Sequence, residues 1–420
     1  MSRILAKNSL LTLIANLSFA FTNWLLIVVL AKMGDARFLG QFVLTLSVVS
    51  PIFLFFSLKL RTLLVVDLEN EYSVEQYLAT RFITSSIGLL IVLVVAASVF
   101  KNVPVVLFLL IGVFKWFDAW SELFYAYYHR AGHFMMATFC QSARSLLSIV
   151  AIFVSVFLDA PPLWVIIGWV AMSSLFCIID GILFTRFRIK HEAVFTAWWQ
   201  MFNVHYCVLT PMRIFRKYYT LSLSLVVGAL FVYIPNFVLE KYAGIEAAGQ
   251  FAAVSYFLVA GGLLINSVSQ ASSPKLSALV KANEWKHFQS LTLKMCLVGA
   301  TIGLAGVMVA CLFGHFFLLL FYNENIAQLS SEMVWILAAA AIRYIYIFIG
   351  TAMNSLKQFN TQTIIYTIGT ASVLVACLVL VPTQGTLGAA KAMVIATAAE
   401  CILFIFFFWK NGHKRQQIND

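Results

Sequence analysis

The sequence predicts an all-α polytopic membrane protein, with twelve transmembrane helices in two six-helix bundles around a central cavity. Three observations support this fold class. The 420-residue chain is 62% hydrophobic and 11% charged, whereas soluble domains are about 45–50% apolar and about 25% charged. Apolar segments recur along the whole chain, and one short loop sequence occurs twice, about half a chain length apart.

The apolar segments have the length of membrane spans, since a spanning helix needs about 20 mainly apolar residues. Backbone groups in lipid must be hydrogen-bonded within their own segment, so we expect helices rather than strands. The first segment follows MSRILAK without a small-residue cleavage site, and we expect it to be an uncleaved span. The predicted spans are 9–32, 38–58, 80–100, 104–128, 136–158, 162–185, 218–239, 249–273, 288–314, 329–356, 362–382 and 385–409.

Lysine and arginine are distributed unevenly between the two sides of the predicted membrane. Of the 28 basic residues, 20 lie on the side of the termini, four on the other side and four inside spans. Cytoplasmic loops carry such an excess, so both termini are predicted to be cytoplasmic. The net charge of +11 follows from this asymmetry and does not indicate nucleic-acid binding.

A loop sequence is repeated at an offset of 209 residues: LAKMGDARFLGQF at 30–42 matches LEKYAGIEAAGQF at 239–251. Each copy joins the first two spans of a half. An even number of spans per half predicts a parallel repeat about an axis along the membrane normal. The predicted organisation is an N-terminal bundle at 1–186, a cytoplasmic linker at 187–217, a C-terminal bundle at 218–409 and a basic cytoplasmic tail at 410–420.

The predicted linker is amphipathic. Basic residues stand at both of its ends, and between them Phe195, Trp198, Trp199 and Phe202 are spaced like one face of a helix. This pattern is typical of a helix lying at the membrane interface and attracted by anionic lipids. A surface that captures substrate is the alternative.

KWFDAWSELFYAYYH, residues 115–129, places charges inside a predicted span. Lys115, Asp118, Glu122 and Tyr125 fall on one side of a helix. A charge at bilayer depth costs a few kcal/mol, so such residues face a bundle interior or a wet cavity. The alternative is a closed local pair between Lys115 and Asp118.

Further charges lie inside other predicted spans. Arg144 is in the fifth span and Arg343 is near the centre of the tenth; Lys391 and Glu400 lie on opposite faces of the twelfth. Asp180, near the end of the sixth span, is expected to be structural. Arginine pairs bidentately with phosphate, and a carboxylate in a dry lumen can carry a proton. Acidic and basic residues are balanced, so charge alone does not choose between anionic and cationic cargo.

No pattern for catalysis or metal binding is present. The seven cysteines lack metal-ligand or CxxC spacing, and there is no phosphate-binding glycine loop or nucleophile elbow. We therefore predict no catalytic residue, no metal and no cofactor, and a protein that is not an enzyme.

The segment 243–291 contains Gly249 and Phe251, then Ser269-Gln270-Ala271 and Pro274-x-Leu276. It resembles the bacterial polysaccharide flippases, the Wzx-type O-antigen translocases of the MATE/polysaccharide exporter superfamily. LAKNSLLTLIANLSFAF at 5–21 and GTLGAAKAMV at 385–394 look like the first and last spans of that family. The resemblance implies a MATE-like, pseudo-two-fold fold.

It also implies transport of an undecaprenyl-diphosphate-linked oligosaccharide, an O-antigen or related surface-polysaccharide unit, from the cytoplasmic to the periplasmic leaflet of the bacterial inner membrane by alternating access. The implied partners are this glycan, H+ or Na+ as coupling ion, membrane lipids, and polymerase or chain-length proteins of the same pathway. A MATE-type multidrug or cation exporter and a membrane-embedded polysaccharide polymerase or ligase are the alternatives.

Eight residues are candidates for this function because they place polar groups in the predicted lumen. Those expected to bind the diphosphate or a sugar are Arg343, Arg144, Lys115, Tyr125 and Lys391. Those expected to couple an ion or contact sugar hydroxyls are Asp118, Glu122 and Glu400.

Overall fold

The computed structural model describes residues 2–67, 71–100, 102–191, 209–356 and 358–419, and every regular element in those ranges is a helix. The helices, in chain order, are α1 Ser2–Lys32, α2 Ala36–Phe56, α3 Leu60–Val66, α4 Val74–Ser98, α5 Val105–Arg130, α6 Phe134–Phe157, α7 Pro162–His191, α8 Thr210–Ala243, α9 Ile245–Lys281, α10 Trp285–Phe321, α11 Glu324–Ala327, α12 Ser330–Ser355 and α13 Phe359–Asn419. The centre of the predicted amphipathic linker, residues 192–208, lies outside the described residues.

The all-α polytopic fold is confirmed. Ten helical segments of the described chain are long and apolar enough to cross a membrane. Helix α5 is not among them, because a candidate span of eighteen residues is allowed at most two charged residues. The first eighteen residues of α5 contain three: Lys115, Asp118 and Glu122. Helix α13 counts once, although it is two helices in geometry. Adding α5 and dividing α13 yields twelve long segments in the order of the twelve predicted spans.

The division of α13 occurs at Gly385, which has φ 55° and ψ −130°, outside the helical region. A positive φ is readily adopted only by glycine. Pro382, three residues earlier, lacks the backbone N–H that a continuous helix needs. The sequence VPTQG therefore ends one span and starts the next without an intervening loop, which matches the predicted boundary at 382–385.

Many helices run past the predicted spans because their polar ends are also helical. Helix α4 starts at Val74, six residues before the predicted span, with Ser73 as its N-cap. The Ser73 hydroxyl accepts the Gln76 backbone N–H, and the Gln76 side chain accepts the Ser73 backbone N–H, which is a capping box. The earlier start places Arg81 two turns inside the helix.

The chain divides into two compact units: Met1–Val29 with Thr45–Val226, and Leu30–Leu44 with Val227–Asp420. In the first unit, α5 packs against α3, α4, α6 and α7. Aromatic side chains fill much of its core; the rings of Phe124 and Phe184 stack at 4.8 Å. Helix α5 is therefore surrounded by protein over most of its length, which gives its polar side chains partners on three other helices.

In the second unit, α12 packs against α9, α10 and α13. Two glycines of α10 allow the close approach: a Cβ on Gly299 would lie 2.6 Å from the Tyr344 carbonyl oxygen, and one on Gly303 would lie 2.5 Å from Ala341 Cα. Small residues at helix contacts are typical of membrane bundles. This contact fixes α12, the helix that carries Arg343, against α10.

Candidate functional site

The polar stripe of α5, formed by Lys115, Asp118, Glu122 and Tyr125, lies against neighbouring helices of the first unit. The Asp118 side chain is 15% exposed and that of Glu122 is 38% exposed, while Tyr125 is buried. Each of the three finds a partner on a different helix. The structure thus places these predicted residues together, on the protein-facing side of α5.

Arg144 of α6 is the principal partner of Asp118. Its Nη1 lies 2.9 Å from Asp118 Oδ1, and its Nε donates a hydrogen bond of 2.8 Å to the hydroxyl of Ser173 on α7. The residue is only 2% exposed. Its Nη2 has no hydrogen-bond partner among the described residues, so one edge of this guanidinium retains an unsatisfied donor.

Lys115 is only a weak partner of Asp118, so the two residues do not form the closed local pair that was the alternative. Its Nζ lies 4.0 Å from Asp118 Oδ2, at the limit of an ion pair, and its side chain is 25% exposed. The 2.9 Å contact to Arg144 is the one that satisfies the carboxylate. The in-helix pair is therefore a subsidiary contact of an inter-helix one.

Arg81 of α4 belongs to the same cluster, although its position at the start of a predicted span indicated a charge on the cytoplasmic side. It is 1% exposed, and its Nη2 lies 3.9 Å from Glu122 Oε2. Within the described residues neither Nε nor Nη2 has a hydrogen-bond partner. The predicted span began at residue 80, so Arg81 looked like an end residue. The S-x-x-Q capping box at 73–76 is the signal that would have placed it inside the helix.

Tyr125 connects the stripe to α7. Its hydroxyl donates a 2.8 Å hydrogen bond to Asp180 Oδ2, and Asp180 is fully buried. The Tyr125 ring is 3% exposed, so in this structure its polar group contacts a carboxylate of the bundle. Two hydrogen-bonded carboxylates, Asp118 and Asp180, thus lie on neighbouring helices of the first unit.

The cluster combines charge with incomplete hydrogen bonding. Phe114 and Phe19 lie over the Arg144 guanidinium, with ring centroids at 5.6 Å and 5.9 Å, which favours a cation there. Leaving buried donors unsatisfied costs about 1–3 kcal/mol per group, more for charged ones. Arg81 and Arg144 therefore hold donors that an anion with several oxygens, such as a phosphate, can satisfy.

A second group of polar residues lies in the second unit. The guanidinium of half-buried Arg343 lies 5.4 Å from the centroid of the Phe231 ring. Near it, the buried hydroxyl of Tyr346 donates a hydrogen bond to the carboxylate of Glu400. Glu400 is 2% exposed, and Gly369 of α13 leaves the space that its side chain occupies. The predicted residues Arg343 and Glu400 therefore belong to one neighbourhood.

Lys391 lies apart from that neighbourhood. Its Nζ donates a 2.8 Å hydrogen bond to Gln384 Oε1 and lies 5.8 Å from the centroid of the Trp335 ring. Gln384 directly precedes the break at Gly385, so Lys391 is near one end of its helical arm. That Lys391 and Glu400 face different ways stays a prediction from their spacing.

The start of α4 contacts both the end of α7 and the start of α8, which flank the segment joining the two halves of the chain. Glu75 pairs with Arg188 of α7 at 2.7 Å, and both side chains are buried. Gln76 donates to the Thr210 hydroxyl at 3.3 Å, at the first residue of α8. Lys217 pairs with Glu71 at 2.6 Å on the surface. These contacts fix the start of α8 to the first unit.

Comparison with known proteins adds one sequence relative and several structures. No protein-family model matches this chain. The capsular polysaccharide biosynthesis protein CapF of Staphylococcus aureus is 25% identical over 412 residues, covering 96% of this chain and 99% of CapF.

Two solved structures cover almost the whole fold. A multidrug resistance MATE family transporter of the MOP superfamily, in an inward-facing conformation, superposes with a TM-score of 0.73 at 12% identity, covering 99% of each chain. The lipid II flippase MurJ superposes with a TM-score of 0.71 at 16% identity, covering 94% of this chain and 87% of MurJ. The chain thus has the fold of these two proteins, and the resemblance that its sequence indicated is confirmed by its similarity to CapF in sequence and to the flippase MurJ in fold.

Proposed function

We propose that this protein is a flippase that moves an undecaprenyl-diphosphate-linked oligosaccharide from the cytoplasmic to the periplasmic leaflet by alternating access. The observation that carries the proposal is the pair of buried arginines, Arg81 and Arg144, whose guanidinium groups retain unsatisfied donors beside Asp118 and Glu122. The similarity to CapF, a capsular polysaccharide biosynthesis protein, supports this substrate class, as does the fold shared with the lipid II flippase MurJ.

The arginines suit a diphosphate for geometric reasons. A guanidinium presents paired N–H groups that match two phosphate oxygens, which an ammonium cannot do. Nη2 of Arg144, and Nε and Nη2 of Arg81, are the donors without partners. A diphosphate would bind there by taking the place of the Asp118 and Glu122 carboxylates. Lys115, partly exposed beside Asp118, would add a further cation.

The carboxylates supply a means of coupling. Binding of H+ or Na+ at Asp118 or Glu122 would neutralise the carboxylate and free its arginine for the diphosphate. Loss of that ion would restore the ion pair and displace the substrate. The Glu122 side chain is 38% exposed, so an ion can reach it. Glu400, whose carboxylate accepts the Tyr346 hydroxyl, would bind a coupling ion in the second unit.

Roles for the other predicted residues follow from their contacts. Arg343, in the second unit, would bind the diphosphate at another stage of the cycle, or an acidic sugar. Tyr125 holds Asp180 in this structure, so a sugar-stacking role requires that hydrogen bond to open. Lys391, held by Gln384, would contact the glycan only near the end of its path.

A second candidate is a MATE-type multidrug or cation exporter. It is favoured by the TM-score of 0.73 to such a transporter and by the acidic residues of the cluster. A membrane-embedded polymerase or ligase has less support, because the chain shares its fold with a MATE transporter and a flippase.

A depletion experiment in the source cells separates these functions. A flippase predicts that depletion causes lipid-linked glycan to accumulate on the cytoplasmic leaflet and surface polysaccharide to fall. Plasmid-borne Arg144→Gln and Arg81→Gln should restore less than a tenth of the glycan output, whereas Arg37→Gln, an exposed control, should restore it fully. Normal surface glycan with altered drug sensitivity would contradict the flippase and support the exporter.

A further inference from the structure

The second unit carries a groove that is separate from the Arg343 and Glu400 neighbourhood. It lies between α10, α12 and the arm of α13 that follows Gly385, and its volume is about 490 Å³. The residues that line it are Lys286, Gln289, Ser290, Thr292, Leu293, Cys296, Ile345, Ile349, Ile405, Phe408 and Trp409.

The groove is apolar along most of its length and open to the surface. Ile349 and Phe408 are buried and form its floor, while Leu293, Ile405 and Trp409 are 62%, 41% and 53% exposed and form its edges. Exposed apolar residues at these positions suit contact with hydrocarbon chains rather than with water.

One end of the groove is polar. Lys286, Gln289 and Ser290 lie in the first two turns of α10, next to Trp409 of the α13 arm. This is the side predicted to be cytoplasmic from the distribution of basic residues. The groove therefore has an apolar body and a polar, cationic end. These complement the hydrocarbon tail and the anionic headgroup of an amphiphile.

Lys286 has no carboxylate partner among the described residues. The acidic residue nearest in sequence is Glu284, which lies 3.3 Å from the imidazole of His287. An exposed cation at a helix start between membrane helices attracts anionic headgroups, and basic pockets of this kind bind anionic lipids. The amide of Gln289 and the hydroxyl of Ser290 add donors for phosphate oxygens.

We propose that this groove is a binding site for an anionic phospholipid. The phosphate contacts Lys286, Gln289 and Ser290, and one acyl chain lies along the floor formed by Ile349 and Phe408. A single lysine suits a monophosphate headgroup, whereas the diphosphate proposed as cargo suits the arginine cluster of the first unit. The lipid site is thus additional to transport and does not depend on the cargo.

Native mass spectrometry of the purified full-length protein tests the site. Delipidated protein in detergent is titrated with dioleoyl phosphatidylglycerol and, separately, with dioleoyl phosphatidylcholine. We expect one phosphatidylglycerol to be retained at least fivefold more strongly than phosphatidylcholine. Lys286→Glu should remove that preference, and Lys275→Glu, an exposed lysine that does not line the groove, should keep it.

A second pair of variants tests the apolar part. Ile405→Trp fills the groove from an exposed position, so it should fold and lose phosphatidylglycerol at least fivefold. Ile402→Trp, 66% exposed and outside the groove, is its matched control. Equal phosphatidylglycerol occupancy in Lys286→Glu or Ile405→Trp and their controls overturns the site. Preferential retention of undecaprenyl phosphate that phosphatidylglycerol does not displace overturns the phospholipid assignment.

Discussion

Gly40 and Gly249, the matched glycines of the repeated loop sequence, pack backbone against backbone in the second unit. A Cβ on Gly249 would lie 2.6 Å from the backbone nitrogen of Gly40 and 2.7 Å from its Cα. Neither residue can therefore carry a side chain without moving a helix. The repeated G-Q-F sequence thus marks a site of close helix contact, in addition to marking the two halves of the chain.

Gly249→Ala should destabilise the protein by about 1–3 kcal/mol, because the added methyl group overpacks a backbone contact. Gly306→Ala is the matched control, since its Cβ would meet no atom within 4 Å. Replacing glycine by alanine in a helix normally stabilises by about 0.5–1 kcal/mol, so the two variants should differ in sign. Reversible unfolding of the purified protein measures both, and equal stability would contradict the contact.

Asp118→Asn should destabilise the first unit because it leaves the buried guanidinium of Arg144 without its carboxylate. Removing one partner of a buried pair costs up to about 3–5 kcal/mol, and the partial exposure of Asp118 places the expectation nearer 1–3 kcal/mol. Lys115→Gln, which removes a 4.0 Å contact, should cost less than about 1 kcal/mol.

The double variant Asp118→Asn/Arg144→Gln tests whether the two residues act as a pair. Its loss of stability should be smaller than the sum of the two single losses, because each single change leaves the other group uncompensated. Additive losses would show that Asp118 and Arg144 are stabilised independently.

Gly369→Ala should destabilise the second unit because its methyl group would occupy the space of the Glu400 carboxylate. The same substitution in a Glu400→Ala background should cost at least about 1 kcal/mol less, since the colliding side chain is gone. Stability measurements on the four proteins of this cycle give the coupling. A cost that is equal in both backgrounds would place Glu400 away from Gly369.

Arg188→Ala should loosen the contact between α4 and α7, because it removes the buried ion pair with Glu75, at an expected cost of up to about 3–5 kcal/mol. Arg188 also lies over the Tyr127 and Phe184 rings, so packing is lost too. Arg186→Ala, two residues earlier and exposed, is the control. Reversible unfolding of the purified protein should show the loss of stability in Arg188→Ala alone; equal stability of the two variants would contradict the contact.

The sequence alone was sufficient for the helices and their order, because membrane spans are specified locally by a run of apolar residues. It also placed Asp118, Glu122 and Tyr125 on one face of α5, since helical spacing is a property of the chain. The boundary at VPTQG was predictable for the same reason. Helix starts such as Val74 were missed where a polar turn precedes the apolar run.

The contacts between side chains of different helices could be read only from the tertiary structure. Nothing in KWFDAWSELFYAYYH indicates that Asp118 pairs with Arg144 of another helix, or that Arg81 lies beside Glu122. Hydropathy specifies that a segment crosses the membrane, but lipid tails are as apolar as a helix surface, so hydropathy does not select which helices touch. That selection depends on small residues and polar contacts brought together only in the folded chain, which is why the buried arginine cluster became visible only in three dimensions.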